Sequence, residues 1–292
     1  MTVSPATAAV GAICRPQNAP ERMLQCAIDA DAAGLAELWL WEDCFLEGGL
    51  ASAAAILGAT QGITVGVGLV PMPLRNVAIA AMEIATVERM FPGRLRVAVG
   101  HGVQPWMAQV GAKAASPIGL AREYLVALRA LLAGETVTVA GDYVRLDEVA
   151  LGWPPERRFP ILLGAIGPKS LAVAGECADG VLLDADLTVE GAAASIGACL
   201  EARRSAGIAA PFETVLYQRY YRGPDAEAEL EREAKPGGVA AGLTAGAQEV
   251  AARVREMASV GVGTVVLMPS ATEADPAGYL SHAALDVAPG VS

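Results

Sequence analysis

The sequence predicts an α/β fold, a (β/α)8 TIM barrel with insertion segments, on three observations. Eight apolar runs of strand length alternate with helix-length segments along 292 residues, a length ordinary for that architecture. A dinucleotide-binding open sheet would carry a glycine-rich turn after its first strand, and Gly11 followed by Ala12-Ile13-Cys14 does not supply one. No internal repeat interrupts the alternation. Residues 1–292 are therefore read as one barrel domain.

Ala8 to Cys14 is the first strand and breaks at Arg15-Pro16. Pro20 then sits where a first helical turn tolerates it, and apolar residues recur through Gly34. Leu35 to Trp41 is the second strand; Glu42-Asp43-Cys44 follows directly, before an Ala-rich helix from Gly48 to Thr60. The third strand opens the stretch Ile63 to Asn76, where β-branched residues alternate with glycine until Pro71 and Pro73 stop it and Arg75 lies just beyond. Gly62, Gly66 and Gly68 there mark either a bulge with something flat against the backbone or a barrel strand whose small residues serve packing.

Val77 to Phe91 has the helical period and ends at Pro92-Gly93. Arg94 to Gly100 is the fourth strand and runs into His101, Gly102, Val103, Gln104, Pro105 and Trp106. A long helix from Pro117 to Leu132 precedes a hairpin, Val137 to Leu146, that lies outside the alternation. Pro160 to Ile166, Gly180 to Ala185, Phe212 to Tyr220 and Gly263 to Pro269 complete the strands, with helices over Pro168 to Ala178, Thr188 to Ala206 and Glu249 to Val260. Residues 223–248 are rich in Ala, Gly and Glu with little periodicity, and read as a loop or helical lid after the seventh strand.

Composition narrows the function. Although 53% of residues are hydrophobic, no helix-length stretch reads as a membrane span: residues 48–74 lack charge, but Gln61, Gly62 and two prolines divide them. The N-terminus has no basic start before its apolar residues, so no signal peptide is read and the expected location is the cytoplasm. A net charge of −11 and a pI near 4.7 argue against a nucleic-acid partner. Five cysteines with no CxxC pair signal neither zinc nor a disulfide framework.

Working groups of a barrel sit just after the strands. Those segments hold Glu42 and Asp43, Pro71 to Arg75, His101 to Trp106, Gly164 to Lys169, Asp184 and Asp186, Arg219 to Arg222, and Met268 to Ser270. His101 is one of two histidines, the other being His282 near the C-terminus, so imidazole proton work would fall to His101. Gly164-Ala165-Ile166-Gly167-Pro168-Lys169-Ser170 opens a strand onto a helix N-terminus, an anion site if it is not an ordinary Gly-Pro turn with a solvated lysine. Asp43, His101, Asp184 and Asp186 lack metal-ligand spacing, so no metal is expected. No GxSxG elbow points to serine hydrolysis. Trp39 and Trp41 are expected on opposite faces of their strand, with at least one of them packing.

With these segments placed, LWLWEDCF, ITVGVGLVPMPLRNVAIAAMEIATVERMFPGR, RLRVAVGHG, ILLGAIGPKSLAVAGECADGVLL and GVGTVVLMP, in that order, resemble the bacterial luciferase-like family of flavin and deazaflavin oxidoreductases, over nearly all of the chain. The GPKS turn resembles the F420-dependent branch, which implies coenzyme F420 as cofactor and hydride transfer to or from an organic small molecule. An FMN-dependent monooxygenase and a non-catalytic flavin-binding barrel are the alternatives. The resemblance implies a non-proline cis peptide at Gly68-Leu69 behind the cofactor ring, with Val70, Val103 and Gln104 beside it, and Ala165, Gly167, Pro168, Lys169 and Ser170 around its phosphate. It implies Asp43 or His101 as proton donor or acceptor, and Trp41 and Trp106 as walls for the substrate. Val77 departs from the proline of many relatives. The glutamate of the sugar-phosphate dehydrogenases is not evident after the fourth strand, which makes glucose 6-phosphate a poor substrate. A homodimer through Gly48 to Thr60 and Val77 to Met90 is also implied, although such helices equally pack within one subunit.

Overall fold

The computed structural model describes residues 7–233 and 242–291. Strands β1 (Ala9–Cys14), β2 (Glu37–Leu40), β3 (Thr64–Pro71) and β4 (Leu95–Gly100) precede an antiparallel pair, β5 (Val137–Ala140) and β6 (Arg145–Val149). Then come β7 (Ile161–Gly164), β8 (Gly180–Leu183), β9 (Glu213–Arg219) and β10 (Thr264–Met268). All but β5 and β6 close into a barrel in the order β1-β10-β9-β8-β7-β4-β3-β2, with every pairing parallel. This is the (β/α)8 barrel that the alternation predicts, with the hairpin as an insertion.

Helices α1 (Pro20–Ala32), α2 (Gly49–Ala59) and α3 (Val77–Met90) return the chain between early strands. A short α4 (Gln104–Gln109) and the long α5 (Pro117–Leu132) follow β4, and α6 (Pro168–Cys177) and α7 (Val189–Ser205) follow β7 and β8. After β9 come α8 (Ala226–Glu233), which gives the expected lid a helical portion, and α9 (Ala247–Ser259); the rest of that expectation at 234–241 lies outside the described residues. The terminal α10 (Pro276–His282) packs on α1. Among the described residues no helix is long and apolar enough to cross a membrane.

Strand residues alternate between two cores, because a strand turns successive side chains to opposite faces. Val65 and Val67 of β3 join the larger core between barrel and helices, while Ile13, Trp39, Ala98, Leu162, Val215, Tyr217 and Val266 fill the barrel interior. The same rule corrects the expectation for the two tryptophans. Residues two apart share a face, and both indoles lie on the inner one, with ring centroids 6.2 Å (Trp39) and 6.0 Å (Trp41) from Tyr217.

The lower end of the barrel is plugged by polar groups from the starts of strands. Arg96 Nη1 donates to Glu37 Oε1 at 2.8 Å and to Thr264 Oγ1 at 3.0 Å, and its Nη2 to Glu213 Oε2 at 2.9 Å. Trp39 Nε1 donates to Glu37 Oε2 at 2.8 Å, and the Arg96 guanidinium lies 5.5 Å from the centre of the Trp39 ring. Of the two readings of the β3 glycines, packing accounts for Gly66, since a Cβ there would collide with the Trp39 ring. Gly66→Ala should destabilise the protein by about 1–3 kcal/mol, the usual cost of overpacking a core. Urea unfolding would check this, and an unchanged midpoint would mean that the indole has room to move.

Candidate active site

Above the Trp39 floor, the C-terminal strand ends enclose a cavity of about 640 Å³, within the range of small-molecule sites. One side of it is β3, where the register against β4 shifts between Gly68 and Val70 and the Gly68-Leu69 peptide is cis, as the resemblance implies. Tyr217 donates its hydroxyl to the Gly68 carbonyl at 2.6 Å, and a side chain at Gly68 would clash with that hydroxyl. The Leu69 side chain reaches across the ends of β4 and β7, where a Cβ on Gly100 or Gly164 would meet it. Glycines at these strand ends thus leave a low wall of backbone and one leucine. A second cis peptide, Cys44-Phe45, lies in the loop after β2 and was not expected.

Two titratable side chains bracket this wall. Asp43 follows β2 and His101 follows β4, the two neighbours of β3 in the barrel, and both line the cavity. Burial pushes the Asp43 carboxyl up, and the nearby Arg15 charge opposes the shift. Burial pushes the His101 ring below its ordinary value of 6.5. His101 Nε2 lies 3.2 Å from Ser170 Oγ, and a hydrogen bond with the Pro117 backbone opposes part of the shift. Glu42 also faces the cavity but is held by Arg75, whose Nη2 donates at 2.9 Å, and by the Gly49 N–H at 2.7 Å. Glu47, outside the cavity lining, is pushed up to about 7 by burial and, after that, by the Asp43 and Glu42 charges.

On the far side from β2, Ala165, Gly167 and Ser170 line the cavity at the start of α6. Gly167 is the N-cap and offers no side chain to the first turn, so its N–H groups stay open to a ligand. Trp41, Val103 and Trp106 complete the apolar lining. Four expected site residues lie off it. Val70 is buried in the outer core, because the bulge turns it away from the barrel interior. Gln104 braces its own loop, donating to the carbonyls of His101 at 3.1 Å and Gly102 at 3.3 Å. Pro168 and Lys169 are exposed on the first turn of α6, so they bound the turn rather than wall the cavity.

The sequence reading missed Arg15, Tyr217 and Glu233, which all line the mouth. Arg15 directly follows β1, and position alone could have flagged it. Tyr217 is an inward position of β9, two residues before Arg219. Nothing local marks Glu233, whose partner Arg15 is 218 residues away.

The model of the luciferase-like monooxygenase family matches residues 3–257. The chain belongs to that family. This luciferase-like barrel is 32% identical over 157 residues to the 5,10-methylenetetrahydromethanopterin reductase of Methanolobus tindarius, a match covering 53% of this chain and 48% of that one. It is 28% identical over 189 residues to the F420-dependent glucose-6-phosphate dehydrogenase of Nakamurella multipartita, covering 57% and 52%. The chain thus spans about half the length of these curated relatives. A solved F420-dependent secondary alcohol dehydrogenase, in complex with an F420-acetone adduct, matches with a TM-score of 0.86 over 98% of this chain and 99% of that one, at 22% identity, and so shares the fold.

The His101 environment makes a prediction. Because the folded ring holds its proton less tightly than the unfolded one, its contribution to stability is complete above 6.5 and is lost as pH falls through the lower folded midpoint. An NMR titration of the ring protons, assigned with His101→Asn, should give a midpoint below 6.5. A midpoint at or above that value would contradict the burial argument.

Proposed function

We propose that this protein is an F420-dependent oxidoreductase that transfers a hydride between the deazaflavin and an organic small molecule. The observation that carries the reading is the pairing, across one apolar cavity, of the low Gly68-Leu69 wall with the open first turn of α6. A planar ring needs a wall free of projecting side chains, and a phosphate needs unfilled N–H donors; the residues present fit both needs. The names of the relatives support the same cofactor, since one is an F420-dependent dehydrogenase of a sugar phosphate and the fold neighbour an F420-dependent alcohol dehydrogenase.

Gly68 and Leu69 would back the ring, with Val103 beside it, while the backbone of Gly167 to Ser170 and the Ser170 hydroxyl would hold the phosphate and the exposed Lys169 would add a cation at the rim. Val70, Gln104 and Pro168 support these segments from behind. Bound there, the deazaflavin supplies the hydride carrier. The protein supplies orientation, an apolar enclosure and the proton. His101, whose ring is pushed toward the neutral form by burial, would accept a proton on one side of β3, and Asp43, whose carboxyl is raised by burial, would donate one on the other. Trp41 and Trp106 bound the substrate.

Fluorescence titration of the purified protein should give tight F420 binding; micromolar FMN binding with no F420 binding would replace this reading with the FMN alternative. Asp43→Ala and His101→Ala should each keep the cofactor and lose turnover by about 10²–10⁴-fold. Unchanged turnover would remove that residue from the chemistry.

A homodimer and a cytoplasmic location belong to the same proposal. The exposed face of α3 carries Ile79, Met82 and Met90, an apolar surface suited to a second copy, and the five cysteines are free. Sedimentation at micromolar concentration should show the dimer, and monomer alone would count against it.

A further inference from the structure

Glu233, the last described residue of the α8 segment, turns its carboxylate into the mouth, where donors from the barrel converge on it. Arg15 Nη2 donates to Oε2 at 3.0 Å, the Tyr221 hydroxyl donates to the same oxygen at 2.6 Å, and the Ala271 N–H donates to Oε1 at 2.9 Å. Arg219 Nη1 stands 3.6 Å from Oε2 and donates to the Glu233 carbonyl at 3.0 Å. The donors follow β1, β9 and β10, three adjacent strands, whereas the carboxylate arrives from an insertion. The receptor therefore belongs to the framework and its occupant does not.

The receptor is also built to hold an anion. Arg15 and Arg219 are each 8% exposed, and a guanidinium that deep needs a carboxylate or its equivalent. Arg219 has Asp186, at 2.9 Å. Among the described residues Glu233 is the one carboxylate bonded to Arg15, whose Nε is buried without a partner and whose guanidinium lies 5.2 Å from the centre of the Trp41 ring. The occupant is weakly anchored by packing, since α8 carries four glutamates and buries only Ala226 and Leu230.

We propose that Arg15, Tyr221 and the Ala271 N–H form a receptor for a carboxylate of the substrate, and that Glu233 fills it until the substrate takes its place. The substrate class is then a small organic carboxylate. The inference rests on the reading of the mouth as an F420-dependent active site. Its placement separates it from the cofactor phosphate, because β7, which leads into the α6 turn, is four strands from β1 in either direction around the barrel.

Calorimetric titration with benzoate, and with uncharged benzamide, tests the receptor in the full chain. Glu233→Gln keeps the shape of the occupant and removes its charge, so it should bind benzoate roughly tenfold or more tightly than the unsubstituted protein. Adding Arg15→Gln should abolish the gain, with benzamide indifferent to both changes. Unchanged benzoate affinity in Glu233→Gln, or an equal gain for benzamide, would overturn the proposal. F420 titrated into the same proteins should bind equally well to all. A loss of F420 affinity in the double variant matching the loss for benzoate would also overturn it, by giving the receptor to the carboxylates of the cofactor tail. The expected benzoate pattern with no F420 binding at all would leave the receptor standing and sink the cofactor reading instead.

Discussion

The Trp39 indole, hydrogen-bonded to Glu37 and covered by Arg96, fills the lower part of the barrel, and the site above depends on it. A parallel barrel of eight strands encloses a space that side chains must fill, or it would remain an empty tube. Here one large ring does much of that filling, which requires the absence of a side chain at Gly66 on the adjacent strand. The polar cluster of Arg96, Glu37, Glu213 and Thr264 then closes the bottom with its charges paired. With that end sealed, the cavity opens only where the strands finish, and Tyr217 links the floor to the wall by touching both indoles and holding the Gly68 carbonyl.

The barrel was legible because its signal is local. Alternating apolar runs and helical periods recur eight times, and the hairpin between Val137 and Val149 stands apart because it breaks that rhythm. The positions of the α6 turn, Asp43 and His101 at the mouth were legible for a related reason, since strand ends point there wherever the strand order places them. The glycines of β3 show the limit. Periodicity says that Gly66 and Gly68 face inward, but not that Trp39 and Tyr217 from other strands occupy the space they leave. Val70 was misjudged because a bulge shifts the alternation by one, and nothing in the run of residues announces that shift. The Arg15 to Glu233 pair joins residues 218 positions apart and has no local trace.

Net charge is a poor guide to this site. The chain carries −11 overall, yet its mouth holds two deeply buried arginines. Charges there are balanced in pairs: Glu42 by Arg75, Asp186 by Arg219, Glu233 by Arg15. Pairing at short range matters more than the total because a low-dielectric cavity strengthens close interactions, while solvent and salt screen the outer carboxylates. What remains for a ligand is an apolar interior with the uncapped α6 turn on one side and the paired Arg15 on the other.

That balance bears on the proton chemistry. The Asp43 carboxyl is raised by burial and lowered by Arg15, so its proton depends on how fully Arg15 is neutralised by something else. With Glu233 in the receptor, Arg15 is paired and its pull on Asp43 is partly spent. If a substrate carboxylate replaces Glu233, the pairing is preserved and Asp43 keeps its proton affinity through the exchange. An empty receptor would leave Arg15 unpaired, and it would draw Asp43 toward the ionised form and away from donation. A carboxylate held in cis therefore offsets the pull of Arg15 on the proposed acid while the cavity awaits its substrate.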